Sequence, residues 1–344
     1  MSGSDARGDV PAAVSRALAA IDRVPLMAVR PTPIQTYPRL AGRIGRPLLV
    51  KRDDLSGLAL GGNKARKLEF LMARALAEGC DSVLATGFVQ SNNAVQTAAA
   101  ARRCGLEPVL VLDGAPPAVA SGNLILGDLL GARTLFTAGR PVAEVMAAEA
   151  ARLRDAGHRP FVLPPGGSTA LGILGFVEAA FELAGQLAGP DPRPDVLVMP
   201  TGTGGTQAGL VLGLAIAGID LPVVGLSTGK TAAEMIPAMT ALAAEAAALL
   251  DWPGTVAPDA WIVDERFYGD GYAKPGREDF EAMDAAARLD GLFVDPVYTG
   301  RALVGLATRV AEGSLPGAGP VLFWHTGGHA ALFAFDRSGG SAGP

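Results

Sequence analysis

Lys64 stands in a sequence context that favours covalent chemistry by an amine. It follows Gly61-Gly62-Asn63, where two glycines allow a sharp turn and Asn63 can cap a helix that begins at Lys64. A lysine at a helix start meets the positive end of the helix dipole, which favours the neutral amine, and burial would lower its pKa further. A neutral amine attacks a carbonyl group to form a Schiff base. The alternative is an ordinary solvated lysine, and Arg66 and Lys67 are expected to be surface charges on the same helix.

A second segment, residues 200–209, alternates glycine with threonine between a predicted strand and a predicted helix. Successive backbone amides and hydroxyls are offered to a phosphate by Gly202, Thr203, Gly204, Gly205 and Thr206. No Gly-Lys-Ser/Thr follows, so this is not a Walker loop. Gln207 stands where the dinucleotide fingerprint needs a small residue. The segment therefore predicts a site for the monophosphate of a compact cofactor.

A polar run, Gln90-Ser91-Asn92-Asn93, also lies between a predicted strand and a predicted helix. Ligands of open α/β sheets bind beyond the carboxyl ends of the strands, so these side chains could face the same ligand. The alternative is that the run only caps the helix that begins near Ala94.

The C-terminal third adds two tyrosines and a histidine pair. Tyr272 and Tyr298 adjoin Gly and Pro turns and could serve as acid/base groups or ring partners, or simply pack in the interior. His325 and His329 have the spacing of a zinc pair, but Thr326 takes the position of the catalytic glutamate and Gly327-Gly328 would break the required helix. No metal site is expected.

Short β-branched and aliphatic runs alternate with long alanine-rich stretches, which predicts an α/β fold with a mostly parallel sheet covered on both faces. The predicted strands are Leu48–Lys51, Ser82–Ala85, Val109–Leu112, Thr134–Phe136, Phe161–Leu163, Val196–Met199, Val223–Leu226 and Val321–Trp324. Apolar residues at helical spacing predict helices over Leu68–Ala77 and Val95–Arg103, with Gly79 and Gly105 where C-terminal caps belong.

The composition sets limits on the class of protein. With 344 residues, 49% of them hydrophobic, the chain should form two lobes with a cleft between them. A net charge of −5 without a Lys/Arg run argues against nucleic-acid binding. Met1–Asp22 lacks the apolar core of a secretion signal, and Leu210–Ile219, taken as the most apolar stretch, is about half as long as a membrane span, so a cytoplasmic protein outside the membrane is expected. Cys80 and Cys104 are expected to be buried, reduced thiols.

Two segments are expected to be irregular. Gly185–Pro194 is rich in Gly and Pro and is expected to be a crossing between lobes or a surface loop, and the tail Ser338–Pro344 is expected to be frayed.

In their order along the chain, these segments resemble the aminocyclopropane-carboxylate deaminase and D-cysteine desulfhydrase family of fold-type II pyridoxal-phosphate (PLP) enzymes. The resemblance extends from Pro31-Thr32-Pro33-Ile34 to Gly327-Gly328, and the segment 61–69 is its most specific part. It implies two open, twisted, mostly parallel sheets with PLP in the cleft between two domains. The large domain would comprise residues 1–65 and 178–344, with residues 66–177 inserted as the small domain. A homodimer is typical of the resembled family.

The resemblance also implies roles for individual residues. Lys64 would hold PLP and move the Cα proton, Asn92 would contact the phenolic oxygen of the cofactor, and Thr326 would meet its pyridine nitrogen. The implied catalytic residues are Lys64, Ser91, Tyr272 and Tyr298; the implied cofactor-binding residues are Lys64, Asn63, Asn92, Gly202, Thr203, Gly204, Gly205, Thr206 and Thr326; the implied substrate-binding residues are Ser91, Asn93, Gln90, Tyr298 and Thr299.

The implied reaction is β-elimination from a small amino acid, similar to that of D-cysteine desulfhydrase, with pyruvate, ammonia and sulfide as products. Aminocyclopropane-carboxylate deaminases carry Glu and Leu where this chain has Thr299 and Thr326, which favours the lyase. The alternatives are aminocyclopropane-carboxylate deaminase, L-cysteate sulfo-lyase, a β-replacement enzyme or a racemase on the same fold. A PLP-binding protein without turnover and an unrelated phosphate-binding enzyme are further alternatives.

Two departures from the family pattern suggest an altered pocket. The family has His and Arg where this chain has Asn93 and Val95, and small residues where it has Phe88-Val89. We therefore expect a substrate that is larger, more apolar or uncharged at its far end.

Overall fold

The computed structural model describes residues 10–189 and 193–336. Its strands are β1 (Ile34–Thr36), β2 (Leu48–Arg52), β3 (Ser82–Phe88), β4 (Glu107–Asp113), β5 (Arg133–Phe136), β6 (Pro160–Val162), β7 (Val196–Thr201), β8 (Val223–Ser227), β9 (Ile262–Asp264) and β10 (Val321–His325). Its α-helices are α1 (Ala12–Ala20), α2 (Pro38–Ile44), α3 (Lys64–Ala77), α4 (Asn92–Arg103), α5 (Asn123–Leu129), α6 (Val142–Asp155), α7 (Ala170–Leu187), α8 (Gly205–Ile216), α9 (Ala232–Leu249), α10 (Arg277–Asp290) and α11 (Thr299–Ala311).

The strands form two sheets. A six-stranded sheet has the order β1-β2-β10-β7-β8-β9, and a four-stranded sheet has the order β5-β4-β3-β6. Every neighbouring pair is parallel except β1 and β2. The α/β class with open, mostly parallel sheets is therefore confirmed, and each of the eight predicted strands has a counterpart.

Two short strands at the edges of the larger sheet escaped the sequence analysis. β1 and β9 have three residues each, and most of their side chains are partly or fully exposed. An edge strand that faces solvent needs no continuous apolar run, which is the signal on which strand prediction depends.

All strands of the smaller sheet come from the chain between β2 and β7, within the residues predicted to form the small domain. α3 and α7 lead into and out of this insertion and pack against each other. The larger sheet is covered on one side by α7, α8 and α9, which contribute much of the largest apolar cluster. α8 lies close to α7 because Gly209 has no side chain: a Cβ there would lie 2.5 Å from the carbonyl oxygen of Ile173.

The prediction that Arg66 and Lys67 are surface charges is wrong. Both side chains are buried, with exposed fractions of 0% and 1%. The Arg66 guanidinium donates to the carboxylates of Asp53 and Glu182, and Asp53 also accepts from the indole N–H of Trp324 at 2.9 Å. Burial is tolerated because the opposite charge is buried with the guanidinium. These ion pairs join the residue that follows β2 to α3 and α7.

The expectation for the helices is met at α3 and α4, although each begins earlier than the apolar pattern indicated. Gly79 and Gly105 follow the ends of these helices with φ of 65° and 71°, the left-handed conformation typical of a C-terminal cap. Cys80 and Cys104 are free thiols, but they are partly exposed instead of buried.

Most of the apolar stretch Leu210–Ile219 lies in α8, but two other helices are both long and apolar. Within the described residues, α7 and α9 have 18 residues each and are apolar enough to meet the length and hydropathy criteria for a membrane span, and half of the α7 window is buried in the protein. Core helices meet the same criteria, so this is weak evidence for a span. α7 also extends to Leu187 and thus occupies the start of the predicted loop 185–194; residues 190–192 and the tail Ser338–Pro344 lie outside the described residues.

Candidate active site

A cavity of about 430 Å³ opens at the carboxyl ends of strands from both sheets. This volume is typical of pockets for small organic ligands. The predicted site residues that line it are Asn63, Lys64, Ser91, Asn92, Asn93, Gly202, Thr203, Gly204, Thr206, Tyr272, Tyr298 and Thr326. Other lining residues include Thr86, Phe88, Asp113, Thr201 and Lys230. The fold thus collects into one cavity segments that are up to about 260 positions apart in the sequence, as the positions of Lys64 and Thr326 show.

The turn before α3 aims Lys64 into this cavity. Gly61 has a φ of 78°, and a Cβ there would lie 1.7 Å from the carbonyl oxygen of Asp54, so only glycine fits. The amide of Asn63 donates to the carbonyl of Thr326 at 3.0 Å, which ties the turn to the end of β10. Burial lowers the pKa of Lys64 to about 8, in the direction that the sequence predicted.

The prediction that Asn63 caps α3 is wrong. Its side chain makes no capping hydrogen bond, and the backbone at Asn63 is already helical. Instead, its Nδ2 donates to the hydroxyl of Thr206 at 3.1 Å. Asn63 therefore connects the lysine turn with the glycine-threonine segment, a contact between residues 143 positions apart that no local pattern reveals.

The glycine-threonine segment forms the N-terminus of α8. Gly204 precedes the helix in the left-handed conformation, and a Cβ there would lie 2.6 Å from the side chain of Met239. Among the described residues, no acceptor engages the amides of Gly204, Gly205 and Thr206. The buried hydroxyl of Thr201 also has no partner. Free amides at a helix N-terminus bind anions, and these donors fit a phosphate.

Lys67 lies beside the start of α8, a position that the sequence analysis did not predict. Its Nζ lies 3.2 Å from the carbonyl oxygen of Gly166 and from the hydroxyl of Ser168, and a Cβ on Gly205 would lie 2.7 Å from it. Burial, and then the Lys64 amine, hold its pKa well below the usual value. Lys67 follows Lys64 by three positions in one helix, so the two amines share a face; this spacing is the signal that could have identified it.

The residues of the polar run 90–93 have different surroundings. Ser91 caps α4 by accepting from the amide of Ala94 at 3.2 Å, as the simpler interpretation held, yet Ser91 also lines the cavity. Asn92 and Asn93 line the cavity as well. Gln90 does not: its Nε2 donates to the carbonyl oxygen of Ser121 instead.

Tyr272 and Tyr298 line the cavity side by side. Their rings meet edge to face with centroids 5.9 Å apart, and their hydroxyls share a hydrogen bond. Burial, followed by the neighbouring Tyr272 and Asp295, holds the pKa of Tyr298 well above its usual value, so the phenol stays protonated. Thr299, which was expected to bind substrate, does not line the cavity; its hydroxyl is buried and donates to Asp295 at 2.7 Å.

Thr326 lines the cavity, but the two histidines lie behind it. The backbone amide of Gly327 donates to Nδ1 of His325, and Nε2 of His325 lies 2.7 Å from the carbonyl oxygen of Phe293. The ligand atoms of Asp54, His325 and His329 lie within 4.8 Å of one another, a proximity that the sequence did not predict because Asp54 comes from the other end of the chain. Both nitrogens of His325 are already engaged, so a metal would have to displace these contacts.

Comparison with known proteins identifies the class to which this cavity belongs. Residues 26–327 match the family described as pyridoxal-phosphate dependent enzymes. The chain belongs to this family, and its cofactor is pyridoxal phosphate. The observed donors fit that group, since an amine of lowered pKa faces the cavity with free helix amides and an unpartnered hydroxyl.

Individual relatives narrow the comparison. The D-cysteine desulfhydrase of Klebsiella pneumoniae (strain 342) is 39% identical over 311 residues, which cover 89% of this chain and 94% of the relative. The crystal structure of an ACC deaminase homologue is 37% identical, with a TM-score of 0.86 over 94% of this chain and 97% of that one. A pyridoxal 5'-phosphate-dependent aspartate racemase has a TM-score of 0.64 at 18% identity over 92% and 94% of the two chains, which shows a shared fold alone.

Proposed function

We propose that this enzyme cleaves a small amino acid by β-elimination, with D-cysteine as the preferred substrate. In the balanced reaction, D-cysteine and water give pyruvate, ammonia and sulfide. The observation that carries the proposal is that two kinds of group line one cavity: a lysine amine of lowered pKa and a pair of phenols that stay protonated. The Klebsiella relative bears the name of this activity and covers nearly the whole chain.

We assign anchoring of the cofactor to five groups of this chain. Lys64 would provide the attachment amine, and the amides at the start of α8 would hold the phosphate, with the amine of Lys67 beside them. Thr326 would meet the ring nitrogen and Asn92 the phenolic oxygen, since both residues line the cavity. When bound, PLP withdraws electrons from the substrate Cα and so acidifies its proton.

We assign the proton transfers to Lys64 and to the pair of tyrosines. Lys64 would take the Cα proton of the bound substrate, because its lowered pKa leaves a substantial neutral fraction near pH 8. The Tyr272–Tyr298 pair, whose phenols stay protonated, donates a proton to the departing thiolate. Ser91 and Asn93 would contact the substrate carboxylate from the start of α4, where the helix dipole favours an anion.

The substitutions relative to the family pattern have different consequences. Phe88 lines the cavity and meets the Tyr272 ring edge to face at 6.0 Å, so it narrows the substrate side. Val95 does not line the main cavity; it borders a much smaller one beside α5. Of the positions that depart from the family pattern, Phe88 and Asn93 therefore line the cavity and Val95 does not.

Purified enzyme and Lys64→Ala, with Lys274→Ala as the matched control, test the proposal. Lys274 is exposed and lies outside the cavity wall. The expected result is a yellow enzyme that releases pyruvate from D-cysteine, with colour and turnover lost only in Lys64→Ala. Pyruvate from L-cysteate would indicate the sulfo-lyase, ketobutyrate from aminocyclopropane-carboxylate the deaminase, and amino-acid isomerisation or thiol exchange without pyruvate a racemase or a β-replacement enzyme. A yellow protein with no spectral response to any of these would refute catalysis.

We further propose that the protein is a cytoplasmic homodimer. Within each chain, residues 1–65 and 178–344 would form the large domain and residues 66–177 the small domain. The support for association is a set of exposed large apolar side chains, among them Val119, Leu129 and Phe333, each 77% exposed. Sedimentation equilibrium tests the dimer, fractionation of the source cells tests the location, and limited proteolysis tests the domain limits.

A further inference from the structure

Asn123 sits at the start of α5 and contacts the polar run 90–93. It is 4% exposed. Its backbone amide donates to Oε1 of Gln90 at 2.8 Å, and its Nδ2 donates to the backbone oxygen of Gln90 at 2.9 Å and to Oδ1 of Asn92 at 2.8 Å. Asn123 does not line the main cavity, so it acts there only through Asn92.

Backbone groups fix the orientation of every amide in this network. A backbone carbonyl can only accept, so the part of the Asn123 carboxamide that faces the Gln90 oxygen must be its NH₂. The same NH₂ faces Asn92, which must therefore present its oxygen. The Nδ2 of Asn92 is left pointing away from Asn123, and no described residue accepts from it.

The second half of the network is fixed in the same way. Nε2 of Gln90 donates to the carbonyl oxygen of Ser121 at 3.1 Å, so its Oε1 must face the amide of Asn123. Between them, Gly122 has a φ of 51°, and a Cβ there would lie 2.7 Å from Oε1 of Gln90 and 2.8 Å from the carbonyl oxygen of Ala330. The segment 121–123 is thus held rigidly against the polar run.

We propose that Asn123 is a positioning residue that sets the carboxamide of Asn92 so that its NH₂, and not its oxygen, is presented to the phenolic oxygen of the cofactor. This inference rests on the proposed contact between Asn92 and that oxygen. An NH₂ donor stabilises the ionised phenolic oxygen, whereas a flipped amide would place two oxygens against each other. Gln90 thereby gains a role as well: it holds Asn123 in place instead of contacting substrate.

The test compares Asn123→Ala and Asn123→Asp with Asn92→Ala and with the control Ile125→Ala, on the exposed side of the same helix. Two properties are measured: the dissociation constant of PLP for the apoenzyme, and the pH titration of the visible absorption band of the bound cofactor. Circular dichroism verifies that each variant is folded to the same extent as wild type. If the buried charge prevents Asn123→Asp from folding, Asn123→Ala, which introduces no charge, still tests the inference.

We expect Asn92→Ala and Asn123→Ala to weaken PLP binding by about 3- to 10-fold, the range for one hydrogen bond, and to move the absorbance titration to higher pH. Asn123→Asp should match or exceed this shift, because its carboxylate attracts the Asn92 NH₂ and turns the oxygen toward the cofactor. Ile125→Ala should behave as wild type.

If Asn92→Ala shifts the titration and neither Asn123 variant does, the positioning role is overturned while the proposed cofactor contact survives. If Asn92→Ala itself has no effect, the proposed contact fails and the role of Asn123 fails with it. A general structural role would lower thermal stability in the Asn123 variants without a shift of the titration, and this outcome also overturns the inference.

Discussion

The hydroxyl groups of Tyr272 and Tyr298 hydrogen-bond to each other at the wall of the active-site cavity, although the residues are 26 positions apart. Tyr298 is fixed from behind, because Asp295 accepts from the amides of Val297 and Tyr298 at 3.0 and 2.9 Å. Burial raises the pKa of the Asp295 carboxyl. The negative charge of Asp295 in turn adds to the rise in the pKa of both phenols that burial causes. The pair is thereby held as a proton donor.

Removing either phenol should lower turnover with little effect on cofactor binding. For Tyr298→Phe we expect kcat to fall by about 10²- to 10⁴-fold, the usual contribution of a positioned acid. The ring and its packing against Tyr272 remain, so PLP affinity should change less than threefold. Steady-state pyruvate assays and PLP titrations check this; equal losses of affinity and turnover would assign Tyr298 to cofactor binding instead.

The lowered pKa of Lys64 predicts how fast the apoenzyme takes up PLP at different pH. Only the neutral amine attacks the aldehyde, and its fraction rises with pH until the pKa of about 8 is passed. The rate of appearance of the bound-cofactor absorption band should therefore increase about tenfold from pH 6 to 7 and level off above pH 8. A rate that continues to climb toward pH 10 would mean that burial does not lower the pKa of this amine.

Lys67 should recognise the phosphate of the cofactor and not its ring. A phosphate dianion beside the buried amine favours the charged ammonium, so the pKa of Lys67 should rise on binding. We expect Lys67→Met to weaken PLP binding by about 10- to 100-fold, the range for a hydrogen bond to a charged group, and to leave binding of phosphate-free pyridoxal unchanged. Isothermal titration calorimetry with PLP and with pyridoxal separates loss of phosphate recognition from general damage to the cavity. An equal loss of affinity for pyridoxal would indicate a disrupted cavity.

The buried pair of Arg66 and Asp53 should matter for stability more than exposed pairs do. Asp53→Ala leaves a guanidinium buried without its nearest carboxylate, which lies 2.8 Å away, and should cost about 3–5 kcal/mol of unfolding free energy. Arg277→Ala breaks an exposed pair with Glu281 and should cost less than about 1 kcal/mol. Urea unfolding measures both; similar small losses would show that Glu182 alone compensates Arg66.

Acid should destabilise the same region. Burial acts to raise the pKa of Glu182, but the hydrogen bonds and charges of Arg66 and Lys51 outweigh it and lower the pKa to about 2. A carboxyl whose pKa is depressed on folding stabilises the native state above its unfolded value near 4.5, and this contribution is lost as pH falls toward 2. Glu182→Gln should therefore flatten the stability profile between pH 4.5 and 2, measured by urea titrations across that range. An unchanged slope would assign acid unfolding to other carboxylates.

The sequence by itself determined the α/β class, the eight main strands, the lysine turn and the glycine-threonine segment at the start of α8. Each of these features depends on residues that are neighbours in the sequence. The signals are apolar runs of strand length, glycines where the backbone must turn, and hydrogen-bond donors at a helix start. Lys64 and the segment 202–206 could be recognised before any fold was known, because their chemistry depends on immediate neighbours.

Only the tertiary structure decided which charges are buried and which amides face which. Arg66 and Lys67 look like surface residues in the sequence. Their burial depends on partners that the fold brings close: Asp53 and Glu182 for Arg66, and residues 166–168 for Lys67. Asn63, Asn123 and Asp54 likewise take their roles from contacts with residues 31 to 271 positions away. Hydrogen bonds and ion pairs act over a few ångströms of space, and the chain sequence records separation along the backbone only.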